Sequence, residues 1–120
     1  MNTNEISQIA ASVLYLDDAG KIETGKSLFK EYGMSSLDFV DFAYELKAAA
    51  NKEFDPDQLW PINAMMNNPV FYSGGVWTDA GRAELARIFE GHTAVPSQGS
   101  TEELYGLFSV DYVEHRLRAL

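Results

Sequence analysis

The feature that most restricts how this chain can fold is the spacing of its apolar residues. In several segments these residues recur at steps of three and four, which is typical of an amphipathic helix and not of a half-buried strand. The pattern predicts helices over residues 5–16, 35–51 and 78–89, and another after Ser109. No segment shows a convincing strand pattern. The sequence therefore predicts an all-α bundle of four or more helices.

Residues that favour helix starts or turns set the predicted boundaries. The second helix is predicted to start at Ser35 or Ser36, and Asp55 followed by Pro56 begins a short third helix. Asparagine, glycine and proline without clear periodicity predict turns within 62–76. Further predicted features are a long loop at 17–35 pinned by Leu28 and Phe29, turns at 67–69 and 73–75, helix caps at Thr78, Ser100 and Ser109, and a loop from Thr93 to Gly99.

Charge and composition exclude several classes of function. The 120 residues fit one domain, and 18 acidic against 9 basic residues give a net charge of −9. The electrostatic field of such an acidic chain repels nucleic-acid phosphates and anionic lipids, so basic protein surfaces are the expected partners. No apolar run is long enough to span a bilayer and no signal-peptide pattern opens the chain, which predicts a cytoplasmic protein without membrane insertion.

Catalytic and metal-binding patterns are also lacking. The chain has no cysteine, which excludes disulfides, thiolate metal sites and a cysteine nucleophile. His92 and His115 are far apart in sequence without ligand-type companions, and we interpret them as surface residues. Asp17 and Asp18 with Glu23 do not have the spacing of a calcium loop. We therefore expect no metal, no catalytic residues and no enzymatic activity.

The most informative segment runs from Gly33 through Ser35, Ser36, Leu37 and Asp38 into an apolar helix. It resembles the acyl carrier protein signature, in which a glycine, a variable residue, usually an aspartate, then the modified serine and a leucine open the second helix. Ser36 falls on the modified serine, and Ser35 replaces the aspartate. The resemblance extends to residues 27–32, 54–57 and 108–113.

The resemblance implies a fold and a function. The fold is an acyl-carrier-like four-helix bundle with an extra helical insertion between the third and the last helix, in which a carrier core at about 1–61 and 108–120 surrounds an insert at about 62–107. The function is that of a non-catalytic carrier, expected to be monomeric, with 4′-phosphopantetheine from coenzyme A attached to Ser36 and an acyl thioester on the arm. The pathway would be fatty-acid, specialised lipid or polyketide-type biosynthesis. A peptidyl or aminoacyl carrier and an unmodified helical interaction module are the alternatives.

The residues around Ser36 suit this role physically. A serine at a helix start is exposed and lies beside unpaired N–H groups that favour an anionic phosphodiester, although a serine pair is by itself more often an ordinary cap. Asp38, Asp41 and Glu45 recur on one helix face. Together with Val40 they form the predicted docking surface for the phosphopantetheinyl transferase and for acyl-loading and acyl-processing enzymes with basic surfaces. The alternative interpretation is an ordinary solvated helix face.

The aromatic residues near the insert allow two interpretations. Trp60, Phe71, Tyr72 and Trp77 most simply form a second patch of core. The alternative is that the insert, with its methionines, enlarges or caps a cavity for the acyl group. The sequence leaves this choice open.

Overall fold

The computed structural model of the chain describes residues 1–95 and 100–120, so the end of the loop predicted at Thr93–Gly99 lies outside the described residues. Most of the described chain is helical, which confirms the predicted fold class. In chain order the elements are α1 (Thr3–Val13), a 3₁₀ turn (Ala19–Lys21), α2 (Ser36–Ala50), α3 (Pro56–Leu59), α4 (Ile62–Met66), β1 (Tyr72–Ser73), β2 (Val76–Trp77), α5 (Asp79–Ile88), α6 (Thr101–Tyr105) and α7 (Val110–Ala119).

The short hairpin and α4 depart from the sequence prediction. The two-residue strands β1 and β2 pair antiparallel, with Tyr72 opposite Trp77. Gly74 and Gly75 form the predicted turn between the two strands. Their φ angles are +64° and +80°, which glycine adopts readily. Strands of two residues are too short to show the alternation of apolar and polar side chains that marks a strand. Helix α4 is likewise too short to show helical periodicity.

Hydroxyl and amide side chains start most of the helices. Thr78, Ser100 and Ser109 cap α5, α6 and α7, as the sequence predicts. The first helix is displaced from the prediction, because Asn2 forms a capping box with Glu5 and so begins α1 at Thr3. The same helix ends at Val13 and not at Leu16, since the chain turns through Tyr15, whose φ is +58°.

The core lies between α1, α2 and α7 and continues into an aromatic cluster under α3. Buried side chains of the three helices include Ile6, Phe42 and Val113. Trp60 packs edge-on against Phe108 and Tyr112, with ring centroids 5.1 and 5.3 Å apart. The segment predicted to be an insert (residues 62–107, called the insert below) contributes Phe89, whose centroid lies 6.1 Å from that of Trp60 and 5.3 Å from that of Tyr112.

The long loop before α2 is held at several points by the C-terminal part of the chain. The amide of Leu28 donates to the Phe108 carbonyl at 2.8 Å, and the buried Ser27 hydroxyl donates to the Tyr105 carbonyl at 2.7 Å. Leu28 is fully buried and Phe29 stacks on Phe108 at 4.4 Å. These contacts confirm the two predicted loop anchors and fix the approach of the chain to α2.

Candidate functional site

A sharp turn delivers the chain to the start of α2. Gly33 has a φ of +66°, in the left-handed region that glycine adopts without strain. The next residue, Met34, is buried, and its amide donates to the Leu28 carbonyl at 3.1 Å. The two residues after this anchor, Ser35 and Ser36, therefore emerge at the surface in a fixed orientation.

The two adjacent serines have different roles in the helix. Ser35 is the N-cap: its hydroxyl accepts from the Asp38 amide at 3.1 Å, and the Asp38 carboxylate accepts from the Ser35 amide at 3.0 Å. Ser36 is the first helical residue and is exposed. Within the described chain no hydrogen bond engages its hydroxyl. The Ser35 hydroxyl is thus engaged as the helix cap, whereas the Ser36 hydroxyl has no hydrogen-bond partner among the described residues.

The end of α2 also favours a negatively charged group. The Ser36 and Leu37 amides stand at the first two helical positions, where an α-helix supplies no internal acceptor. The positive end of the helix dipole lies at the same place. An anionic group joined to the Ser36 oxygen would meet these amides, as phosphate groups do at other helix N-termini.

A cavity of about 260 Å³ opens beside Ser36. Apolar side chains of Phe29, Met34 and Phe39 form one part of its wall. The other part consists of Ser36 itself and three further residues with polar groups, which are Trp60, Asn63 on α4 and Tyr105 on α6. The exposed serine therefore lies at the edge of a cavity of mixed polarity.

A family model described as a phosphopantetheine attachment site matches residues 4–63, which is half of the chain and includes Ser36. The chain belongs to this family. No curated protein and no solved structure matches it. Family members are carrier proteins that bind 4′-phosphopantetheine covalently, so the family assigns the cofactor predicted from the sequence.

The residues at the start of α2 fit the phosphopantetheine group. An exposed hydroxyl without a hydrogen-bond partner is the nucleophile that a phosphodiester linkage to serine requires, and Ser36 provides one. The orphan amides beside it suit the phosphate, and the adjacent cavity suits the less polar part of the group. When bound, the arm supplies a terminal thiol that can hold a cargo as a thioester.

The outer face of α2 differs in part from the predicted docking surface. Asp41 and Glu45 are exposed as predicted, whereas Asp38 is only half-exposed and its carboxylate is engaged in the capping box. The face also carries large apolar side chains, of which only Val40 belongs to the predicted docking surface. Leu37, Val40 and Tyr44 are 78 %, 50 % and 73 % exposed.

The inner face of α2 explains why these residues point outward. Phe42, Ala43 and Leu46 are buried against the rest of the bundle. Because apolar residues occur on both faces of α2, periodicity alone could not separate them. Leu37, Val40 and Tyr44 recur at steps of three and four. This second apolar stripe was the signal in the sequence from which an exposed apolar face could have been predicted.

The two histidines also differ from their interpretation as independent surface residues. His92, after α5, stacks on His115 of α7 with ring centroids 5.4 Å apart, and both are partly buried. Burial, followed by the neighbouring His115, lowers the pKa of His92, while Asp111 and Glu114 act in the opposite direction. Elsewhere in residues 1–95 and 100–120, as here, no three potential ligands cluster as a metal site.

The length and composition of the helices also bear on membrane insertion. None of those in the described part of the chain has the length and apolar character needed to cross a bilayer.

Proposed function

We propose that this chain is an acyl carrier protein in which the Oγ atom of Ser36 is the attachment point for 4′-phosphopantetheine. The observation that carries the proposal is the free, exposed hydroxyl at the first position of α2, inside the segment matched by the family model. Ser35, the adjacent candidate, is already engaged through its hydroxyl as the helix cap. The proposed cargo is an acyl group for fatty-acid, specialised lipid or polyketide-type biosynthesis.

The chain's own part in this function is presentation. The turn at Gly33 and the buried Met34, whose amide donates to the Leu28 carbonyl, hold the start of α2 in place, so Ser36 projects toward an approaching enzyme without rearrangement of the loop. The Ser36 and Leu37 amides stabilise negative charge next to the attachment oxygen. Loading and processing of the cargo are assigned to partner enzymes, and the carrier itself is proposed to be non-catalytic and monomeric.

The outer face of α2 is the proposed docking surface for those enzymes. Its acidic members Asp41 and Glu45 are exposed and form no ion pair among the described residues, so their charges remain available to basic partner surfaces. Val40, with Leu37 and Tyr44, adds apolar area that an enzyme can cover. Asp38 belongs to the same face but contributes mainly through the orientation of the helix start.

Mass spectrometry tests the proposal directly. Incubation with coenzyme A, magnesium and a broad-specificity phosphopantetheinyl transferase should add one arm per chain, and peptide mapping should find it on Ser36. An established carrier protein of the same family, treated in parallel, shows that the transferase is active. A chain that stays unmodified while this control is converted would instead support the alternative of an unmodified helical interaction module.

A further inference from the structure

The cavity beside Ser36 is lined by uncharged side chains, although the chain carries a net charge of −9. Its apolar wall includes the half-buried rings of Phe29 and Phe39, whose centroids lie 5.8 Å apart. Because the cavity is open to solvent and Ser36 is one of its lining residues, a group joined to Ser36 has direct access to it. An uncharged group can enter without removing water from a charged side chain, which would be costly.

A polar pair lies among the lining residues. The Tyr105 hydroxyl donates to the Asn63 Oδ1 atom at 2.7 Å, and the Tyr105 ring packs edge-on against Phe29 with centroids 5.5 Å apart. Asn63 is exposed, so its side chain offers a ligand both the Nδ2 donor and the remaining lone pair of Oδ1. A side chain of this kind can donate to and accept from another amide.

The helices that carry this pair are held by the core and by each other. Ile62, next to Asn63 on α4, and Leu104, next to Tyr105 on α6, are fully buried. The Thr101 hydroxyl of α6 donates to the Met66 sulfur of α4 at 3.3 Å. The pair therefore has a fixed place beside Ser36.

The 4′-phosphopantetheine arm has the chemistry that this lining would recognise. Beyond its phosphate the arm is uncharged, and it carries methyl groups, a hydroxyl and amides before the terminal thiol. The methyl groups suit the Phe29 and Phe39 rings, and an amide suits Asn63. A short flexible tether gives an effective concentration on the order of millimolar, so weak contacts are enough to keep a tethered group in place.

The size of the cavity favours the arm over a long cargo. At about 260 Å³ the cavity lies below the range of roughly 300–1,000 Å³ that is typical of pockets for drug-sized ligands. A long acyl chain together with the arm that carries it would need more room than this.

We infer that the insert binds the unloaded arm in this cavity, with the Asn63 side chain hydrogen-bonded to an amide of the arm and the Phe29 and Phe39 rings against its methyl groups. Tyr105 is a positioning residue that orients Asn63. The inference rests on the proposed function, because the arm enters the cavity from Ser36. The insert would thus shelter the arm and its thiol until an enzyme draws the arm out.

Isotope-filtered NMR tests where the arm lies. The full chain, labelled with ¹³C and ¹⁵N, is modified from unlabelled coenzyme A, and nuclear Overhauser effects (NOEs) are recorded between unlabelled arm protons and labelled chain protons. The arm methyl groups should show NOEs to the Phe29 and Phe39 rings, and an arm amide to the Asn63 side chain. Tyr44, exposed on α2 and outside the cavity lining, should show none and is the reference.

The reactivity of the arm thiol gives a second readout. Because the chain has no cysteine, this thiol is the only one in the modified protein, and its alkylation by iodoacetamide can be followed directly. The parent should react about 2- to 10-fold more slowly than Asn63→Leu, which is the factor that one neutral hydrogen bond provides. Tyr105→Phe should lose part of this protection.

Asn4→Leu is the matched control for the alkylation experiment. It makes the same change at an exposed asparagine of α1 that does not line the cavity, and it should react like the parent. None of the three substitutions changes the net charge, so a difference in rate cannot come from the field that the protein exerts on the thiolate.

The outcomes separate this inference from the function on which it depends. Failure of the arm to attach overturns both. Attachment without the NOEs to the Phe29 and Phe39 rings, or with a rate of alkylation that Asn63→Leu leaves unchanged, overturns the inference about the arm alone. The NOEs are measured on the unaltered chain, so they decide the question even where a substituted chain folds poorly.

Discussion

The segment matched by the family model (4–63) and the insert (62–107) differ in how they contribute to the site. The matched segment holds Ser36 in place with contacts a few residues apart, chiefly the Gly33 turn and the Ser35 capping box. The insert reaches the same site through hydrogen bonds between residues far apart in sequence. The Tyr105 hydroxyl donates to the Asn63 Oδ1 atom, and the Tyr105 carbonyl accepts from the Ser27 hydroxyl. The position of Ser36 is thus set mainly by nearby residues, whereas the cavity beside it depends on how distant parts of the chain pack.

The largest expected effect concerns the locally determined part. Ser36→Ala should abolish attachment of the arm completely, because it removes the proposed attachment oxygen, and mass spectrometry after transferase treatment measures the loss. Stability should change little, since the Ser36 hydroxyl makes no hydrogen bond with the described residues.

Ser35→Ala is the matched control for this prediction. It should still be modified but should lose about 0.5–2 kcal/mol of stability, because it removes the side-chain cap of α2. An arm found on Ser35, or normal modification of the Ser36→Ala chain, would show that the two serines have been assigned the wrong roles.

The next effect tests whether the insert and the carrier core form one folded unit, as the single-domain prediction requires. Phe89→Ala should lower the free energy of unfolding by about 3–5 kcal/mol, because Phe89 is fully buried against Trp60 and Tyr112. Urea unfolding followed by the near-ultraviolet signal of the core aromatics measures it. Val76→Ala, at an exposed position of the insert's hairpin, is the control and should cost little.

Two separate unfolding transitions, with only one of them shifted by Phe89→Ala, would contradict the single-domain prediction. The insert would then be an attached but independently folding segment. In that case the Tyr105 contact with Asn63 would also be expected to open without unfolding of α2.

The same contrast explains how much could be predicted from the sequence. Helix starts at Thr78, Ser100 and Ser109 were predictable because a side chain and an amide three positions away form each cap. The start of α2 at these serines was predictable for the same reason, since the Ser35 cap depends on its immediate neighbours. The outward position of Leu37 was not, because it depends on which side of α2 the rest of the chain covers.

Long-range pairings were the other part that the sequence could not provide. The contacts between His92 and His115 and between Asn63 and Tyr105 join positions far apart in the chain. No periodicity or spacing rule links such positions. The core role of Trp60 was predicted, but its unsatisfied N–H depends on every group packed around it.

A smaller effect is expected on the docking face. Reversing the charges of Asp41 and Glu45 to lysine should slow modification about 3- to 30-fold at low salt, because complementary fields accelerate encounter with a basic enzyme. The effect should shrink as salt is added. Reversing the exposed Asp57 and Glu90, which lie on other elements, changes the net charge equally and is the control.

Transferase kinetics across a salt series provide the measurement. Equal rates for the α2 variant and its control would remove the docking proposal for these two residues. Asp38 is left out of this variant because its carboxylate accepts from the Ser35 amide, so its reversal would weaken the helix start as well as the surface charge.

The smallest expected effect is the pH dependence of the contact between the insert and α7. The pKa of His92 lies below its ordinary value of 6.5, chiefly because of burial and then because of His115, while Asp111 and Glu114 oppose the shift without reversing it. A folded-state pKa below the unfolded one means that protonation favours unfolding, so this stabilisation is complete above about pH 6.5 and declines as the pH falls through the lower folded-state value. Urea midpoints of the parent chain and of His92→Gln should therefore diverge between neutral and mildly acidic pH, with the parent losing more stability on acidification. If the two chains show parallel midpoints across that range, the titration of His92 does not affect the stability of the contact between the insert and α7.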